Sequence, residues 1–313
     1  MIWATSWVLI KIGLEDVPAM TFAGLRYTLA SILLWPFLLR KNVRAEIRSL
    51  TRKDWIKLII LGVFLYTVAQ GGQYLGLAYL PTVTVSLILN LSALFVALMS
   101  TFAIKEKPHW LQWIGIFLNL FGILIYFYPA SVNGGSWWGW FFAVLSLFGN
   151  IIGAIIGRKV NRTAHINPIV ITAISMSIGS VLMLTSGILW QGFPPLTAKS
   201  IWIIVILAVV NTAFCFSVWN FVQQTLTATE TTIINSSMLV YIAILAWIFL
   251  GEKQSAQGII GLLLVLTGAM IVVCPESYRL LTGASPVLVR VKPPGSRQPM
   301  WLGDWSCRSV VTS

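Results

Sequence analysis

Six stretches of the chain contain no Asp, Glu, Lys or Arg: residues 58–104, 110–157, 163–198, 200–229, 231–251 and 254–275. They run for 47, 48, 36, 30, 21 and 22 residues. A helix crossing a bilayer needs about 20 mostly apolar residues, so these runs hold about eight spans. None of them could coat a water-soluble surface. Charged residues make up 10 % of the 313, against roughly 25 % in soluble domains. The mean hydropathy of +0.86 agrees. This pattern excludes an ordinary cytosolic enzyme, a disordered chain and a nucleic-acid binder.

The net charge of +12 therefore reports on membrane orientation rather than on a nucleic-acid partner, because cytoplasmic loops carry excess Lys and Arg. Cys215, Cys274 and Cys307 form no CxxC pair and read as packing residues. His109 and His165 fall in expected loops, which argues against a histidine metal site, and no cofactor is expected.

Apolar runs, Pro and Gly breaks and aromatic edges divide the chain into ten spans: about 2–14, 19–39, 56–78, 82–104, 110–128, 136–157, 167–190, 201–223, 230–250 and 255–274. Trp35, Trp55, Trp110, Trp113, Trp137, Trp138, Trp190 and Trp202 lie near the ends of these spans, where indoles favour the interface. The first span reaches only about 20 Å at 1.5 Å per residue. Either the native start lies upstream or this helix is incomplete as given. No basic leader or small-residue cleavage site marks a signal peptide.

Segments 40–57, 105–109 and 158–166 hold the basic residues of one side, from Arg40 to Arg162. The opposite loops hold Lys199 and Lys253 with Glu15 and Asp16. The basic side is expected to be cytoplasmic, and ten spans place both termini there.

A shift of 146 residues lays the fourth and fifth spans on the ninth and tenth. Glu106-Lys107 falls on Glu252-Lys253, Gly115 on Gly261, Gly122 on Gly268 and Pro129 on Pro275. The expected architecture is an all-α membrane protein of ten transmembrane helices in two five-helix repeats, 1–129 and 136–275, followed by a disordered cytoplasmic tail at 276–313. Five is odd, so the second repeat enters the membrane in the opposite sense. Inverted repeats of this kind mark secondary transporters, in which two halves exchange conformations around one central site.

The segment Trp3 to Ser6, then Lys11, Pro18, Phe22, Arg26, the Gly76-Leu77-Ala78-Tyr79 turn, Glu106 and the repeated glycines form an ordered set. In this set the chain resembles the EamA family of the drug/metabolite transporter superfamily. The resemblance covers about residues 1–275. It implies two five-helix domains and the export of amino acids or other small metabolites, with exchange of nucleotide sugars or sugar phosphates in more distant relatives.

Ionisable groups inside hydrocarbon are costly and mark candidate sites. Three qualify. Arg26 could hold a substrate carboxylate in a bidentate pair, or snorkel, or pair with Glu15 or Asp16. Lys11 lies near the outer end of its span and could snorkel or take part in coupling. Glu230 opens the ninth span, where an acid favours a helix N-terminus; the alternative is a proton-coupling carboxylate. Among neutral groups, Ser86 and Asn90 share a helix face, and their mates Thr232 and Ser236 share another. The two stripes either line one axial cavity or hydrogen-bond between helices. Gln70, Gln73 and Tyr74, with Trp219, Asn220 and Gln223, are similar candidates, and an aromatic beside amides suits a zwitterion or an amphiphile. Asn119, Asn150 and Asn211 read as helix–helix contacts, and the Gly149, Gly153, Gly157 stripe as a close packing surface.

The function expected is alternating-access transport, in the export direction, of a small polar or amphiphilic, amino-acid-like metabolite across the cell membrane. The partners are the lipid bilayer and the small-molecule substrate. A nucleotide-sugar or sugar-phosphate exchanger is the runner-up, but it would need several converging cations. An intramembrane enzyme would need a catalytic constellation at depth, which is not evident. A structural membrane protein is the remaining alternative.

Overall fold

The computed structural model describes residues 2–104, 110–127, 136–162, 166–224, 226, 228–236, 238–252 and 255–273. One compact unit covers Met1–Cys274 and a second stretch covers Pro275–Ser313. The tail expected at 276–313 lies outside the described residues, as do Glu106, Lys107, His109 and His165.

The regular structure described is helical throughout: α1 (Ile2–Gly13), α2 (Ala19–Leu38), α3 (Lys41–Ser49), α4 (Arg52–Tyr79), α5 (Thr82–Ala103), α6 (Trp110–Phe127), α7 (Trp137–Asn161), α8 (Pro168–Gln191), α9 (Ala198–Val222), α10 (Ala228–Ser236), α11 (Met238–Leu250) and α12 (Ala256–Val273). Six of them (α2, α4, α5, α7, α8 and α9) are long and apolar enough to cross a membrane, and α1, α6, α11 and α12 are shorter apolar helices. Their outward faces are apolar, with Phe102, Leu189 and Trp202 at 83, 87 and 67 % exposure. Water would penalise such a surface and acyl chains would not. Trp35, Trp55, Trp110, Trp137, Trp138, Trp190 and Trp202 are all exposed near helix ends, the place where indoles gather at a membrane interface.

Segment 40–57 is not a loop throughout. Val43, Ile47 and Leu50 recur on one side of α3 and pack against the core. Arg40, Lys41, Arg44 and Arg48 are left exposed. That spacing of three and four residues is the amphipathic signal of a surface helix. α4 then starts at Arg52 because Thr51 and Asp54 form a reciprocal capping box.

Glycine sets how closely the helices approach. A Cβ added at Gly122 would lie 2.6 Å from the carbonyl oxygen of Gly261, and one at Gly268 would lie 2.5 Å from that of Gly115. Gly122 therefore meets the mate of Gly115, and Gly115 meets the mate of Gly122. This cross-pairing requires α6 and α12 to run antiparallel. The glycine stripe of α7 does the same against α4: a Cβ on Gly149 would sit 2.6 Å from the Ala69 nitrogen, and one on Gly153 2.8 Å from Leu65 Cδ1. Without a hydrophobic drive between helices in lipid, such backbone contact is a main source of packing energy.

Two helices contain wide π turns, Gly62–Gln70 in α4 and Leu207–Phe214 in α9. The 146-residue shift carries 62–70 onto 208–216, so the irregularity itself recurs in both halves. Such turns free backbone groups from the regular ladder and are frequent at functional sites.

Candidate functional site: a polar and aromatic cavity around Arg26

Both halves of the chain line an internal cavity of about 100 Å³. Its polar lining includes Arg26, Gln70, Gln73, Ser86, Asn90 and Thr232 from the residues singled out in the sequence, with Asn150 and Asn235 in addition. Its aromatic lining is Trp3, Trp7, Tyr27, Phe216 and Trp219.

Arg26 is 2 % exposed. Its Nε donates to Thr212 Oγ1 at 2.6 Å, one terminal nitrogen donates to Tyr74 OH at 3.0 Å, and the other reaches the Asn211 carbonyl at 3.4 Å. The guanidinium carbon lies 5.2 Å from the Tyr27 ring centre and 6.0 Å from that of Tyr74. The π turn of α9 supplies both the Thr212 hydroxyl and the Asn211 carbonyl. Among the described residues every one of these partners is neutral. The pairs that involve Glu15 and Asp16 go to Lys199, at 3.1 and 3.8 Å, so neither is the ion partner of Arg26. A guanidinium has five N–H donors, and these three bonds leave two of them.

The contact recurs in the second half with different chemistry. Arg26 and Tyr74 shift onto Thr172 and Asn220, and Asn220 Nδ2 donates to Thr172 Oγ1 at 2.9 Å. The same helix–helix contact is thus charged in one half and neutral in the other. Asn220 also accepts from Asn161 Nδ2 at 2.8 Å, and Gln223 takes the Arg158 guanidinium on its backbone carbonyl at 2.6 Å. Asn220 and Gln223 therefore belong to a buried cluster between α7, α8 and α9, outside the cavity lining.

Asn90 Nδ2 donates to the Ser86 carbonyl at 2.8 Å, one turn before α5 is interrupted at Leu91. Its Oδ1 is buried and has no hydrogen-bond partner among the described residues. Lys11 points elsewhere: its Nζ donates to the carbonyls of Leu77 and Leu80 at 2.6 and 3.0 Å, closing the C-terminal end of α4. On the same turn, the Glu252 carboxylate accepts the Thr82 and Val83 amides at 2.9 and 3.3 Å. The side chains of Glu230 and Ser236 lie outside what is described.

Sequence periodicity did not single out Trp3, Trp7, Tyr27, Asn150, Thr212 or Asn235 for the site. The one available signal was Asn211, a polar residue in an apolar run. Its Nδ2 ties down the Ile2 carbonyl at 2.6 Å, and its own carbonyl receives both Trp3 Nε1, at 2.7 Å, and Arg26.

The EamA-like transporter family model matches the chain twice, over residues 1–128 and 137–274. The chain belongs to the EamA-like transporter family. The ends of the two matches, 128 and 274, are themselves separated by 146 residues. Among curated relatives, the uncharacterized transporter YoaV of Bacillus subtilis is 24 % identical over 86 % of this chain and 91 % of its own length. An S-adenosylmethionine/S-adenosylhomocysteine transporter of Chlamydia trachomatis serovar L2 is 24 % identical over 88 % of this chain and 86 % of its own. A crystal structure with 17 % identity superposes with a TM-score of 0.69, covering 90 % of this chain and 96 % of that one. EamA-like proteins are transporters rather than enzymes, and this one is a multi-pass membrane protein.

Proposed function

We propose that the protein is a secondary transporter that exports a small amphiphilic metabolite bearing a carboxylate, of amino-acid type, by alternating access. The observation that carries this reading is Arg26, a buried guanidinium at the cavity wall whose partners among the described residues are all neutral. A charge in a low-dielectric site is costly unless an opposite charge meets it. An anionic cargo would supply that charge through the two remaining donors. The unpartnered Asn90 Oδ1 on the same cavity suits a cargo ammonium. S-adenosylmethionine and S-adenosylhomocysteine, named for one relative, are themselves amino acids carrying a flat base, which agrees with amides facing aromatics.

The antiparallel packing of α6 on α12 through exchanged glycines supports an inverted arrangement of the two repeats. We take the Arg40–Lys57 side as cytoplasmic, with both termini on it. The nucleotide-sugar or sugar-phosphate reading needs converging cations. Lys11 serves helix-end carbonyls instead, which leaves Arg26 as the cation lining the cavity among the described residues.

The test is reconstitution in liposomes with a panel of labelled amino acids and related carboxylates. Saturable flux of at least one, lost in Arg26→Gln protein of normal yield and folding, is expected. Inert vesicles across the panel, or undiminished flux in Arg26→Gln, would overturn the reading.

A further inference from the structure

The two halves differ in chemistry where α1 corresponds to α7. Trp3, Trp7 and Lys11 shift onto Gly149, Gly153 and Gly157. Gly149 and Gly153 let α7 close onto α4, against the Ala69 backbone and the Leu65 side chain, as the 2.6 and 2.8 Å distances above require. At the equivalent crossing α1 presents the Trp3 indole to α9, and Trp3 and Trp7 both line the cavity. Trp219 makes a second break in the pattern, since its mate is Gln73. The cavity lining therefore combines amides with a cluster of rings.

The ring cluster is held in place. Trp3 lies 5.5 Å from Trp219 and 5.1 Å from Phe216, centre to centre. Its indole nitrogen donates to the Asn211 carbonyl that also receives Arg26. One backbone oxygen thus anchors both the ring cluster and the guanidinium, so the two lie side by side. Trp3 and Trp219 are only half-buried, which leaves ring surface for a ligand.

We propose that Trp3 and Trp219 are the specificity element of this cavity, selecting a cargo that carries a flat π system next to its anionic group. This rests on the transporter reading, in which Arg26 takes the anion. Ring–ring contact adds to simple apolar burial because of the quadrupole of each ring. An aliphatic ring of equal size lacks that contribution.

The probes are L-phenylalanine and L-cyclohexylalanine, which share charge and size and differ in the ring. Binding is measured by equilibrium dialysis on the full chain in nanodiscs. Wild type is expected to favour phenylalanine by roughly two- to tenfold. Trp3→Leu and Trp219→Leu should bring that ratio near one, whatever either change does to the affinity for both ligands together. Trp3→Phe loses the bond to Asn211 but keeps a ring, and should keep the preference. A purely structural Trp3 would instead show the same loss in Trp3→Phe as in Trp3→Leu. Arg26→Gln should weaken both ligands alike with the ratio unchanged. A ratio of one in wild type, or an unchanged ratio in both leucine variants, overturns this proposal and leaves the transporter reading standing. Failure of Arg26→Gln to weaken either ligand removes the anion site on which the proposal rests. The absence of saturable binding of either probe to wild type overturns this proposal, while the transporter reading stands or falls on the flux panel.

Discussion

Arg26 is where single-residue chemistry is most exposed to test. Hydrogen bonds to a charged group contribute about 1.5–3 kcal/mol. Tyr74→Phe and Thr212→Val each remove one acceptor from the guanidinium, so each is expected to lower stability by about that amount in thermal unfolding. Arg26→Lys keeps the charge but loses the planar fork that reaches Thr212, Tyr74 and Asn211 together. Transport at least tenfold below wild type, with near-normal folding, is the expected result, read as initial flux at matched protein content. Lys11→Met would leave the Leu77 and Leu80 carbonyls without their donor, a loss of about 1–3 kcal/mol. Stability should fall while the ion dependence of flux stays as in wild type, which would assign Lys11 to the end of α4 rather than to coupling. Arg26 was legible as a candidate because a charge deep in an apolar run is rare. Its partners were not, since Thr212 lies 186 positions away and apolar periodicity says nothing about which helices meet.

At the scale of helices, hydrophobic runs located nearly every element; glycines at 146-residue spacing marked the repeat, and the structure adds that α6 and α12 meet through them. Two features escaped that reading. The helix α3 was hidden by its charges, because only Val43, Ile47 and Leu50 give it an apolar face. The π turns have no compositional mark, since Gly62–Gln70 and Leu207–Phe214 read like the helices around them. The α7 stripe was legible as a packing surface, and the structure adds its partner, α4. Gly149→Val should therefore be poorly tolerated, because the added Cβ meets the backbone of α4 rather than a movable side chain. Overpacking of this kind costs about 1–3 kcal/mol, occasionally more. A melting temperature in detergent indistinguishable from wild type would contradict the packing described.

For the molecule as a whole, the arrangement of charge predicts a topology that labelling can read. In a cysteine-free background, Ser49→Cys should react with a membrane-impermeant maleimide only from the cytoplasmic side, and Ser255→Cys only from the opposite side. Both positions are exposed, so failure to label cannot be blamed on burial. Labelling of both from one side would contradict the proposed inversion. The paired contacts Arg26–Tyr74 and Thr172–Asn220 carry a separate implication. A homodimer built from one such five-helix unit would have to place its guanidinium at both equivalent positions, burying two charges where this chain buries one. Covalent fusion of two copies lifts that constraint: one copy can specialise as the ion-holding partner while the other spends the matching contact on neutral helix packing, so a cargo would be gripped by one half alone.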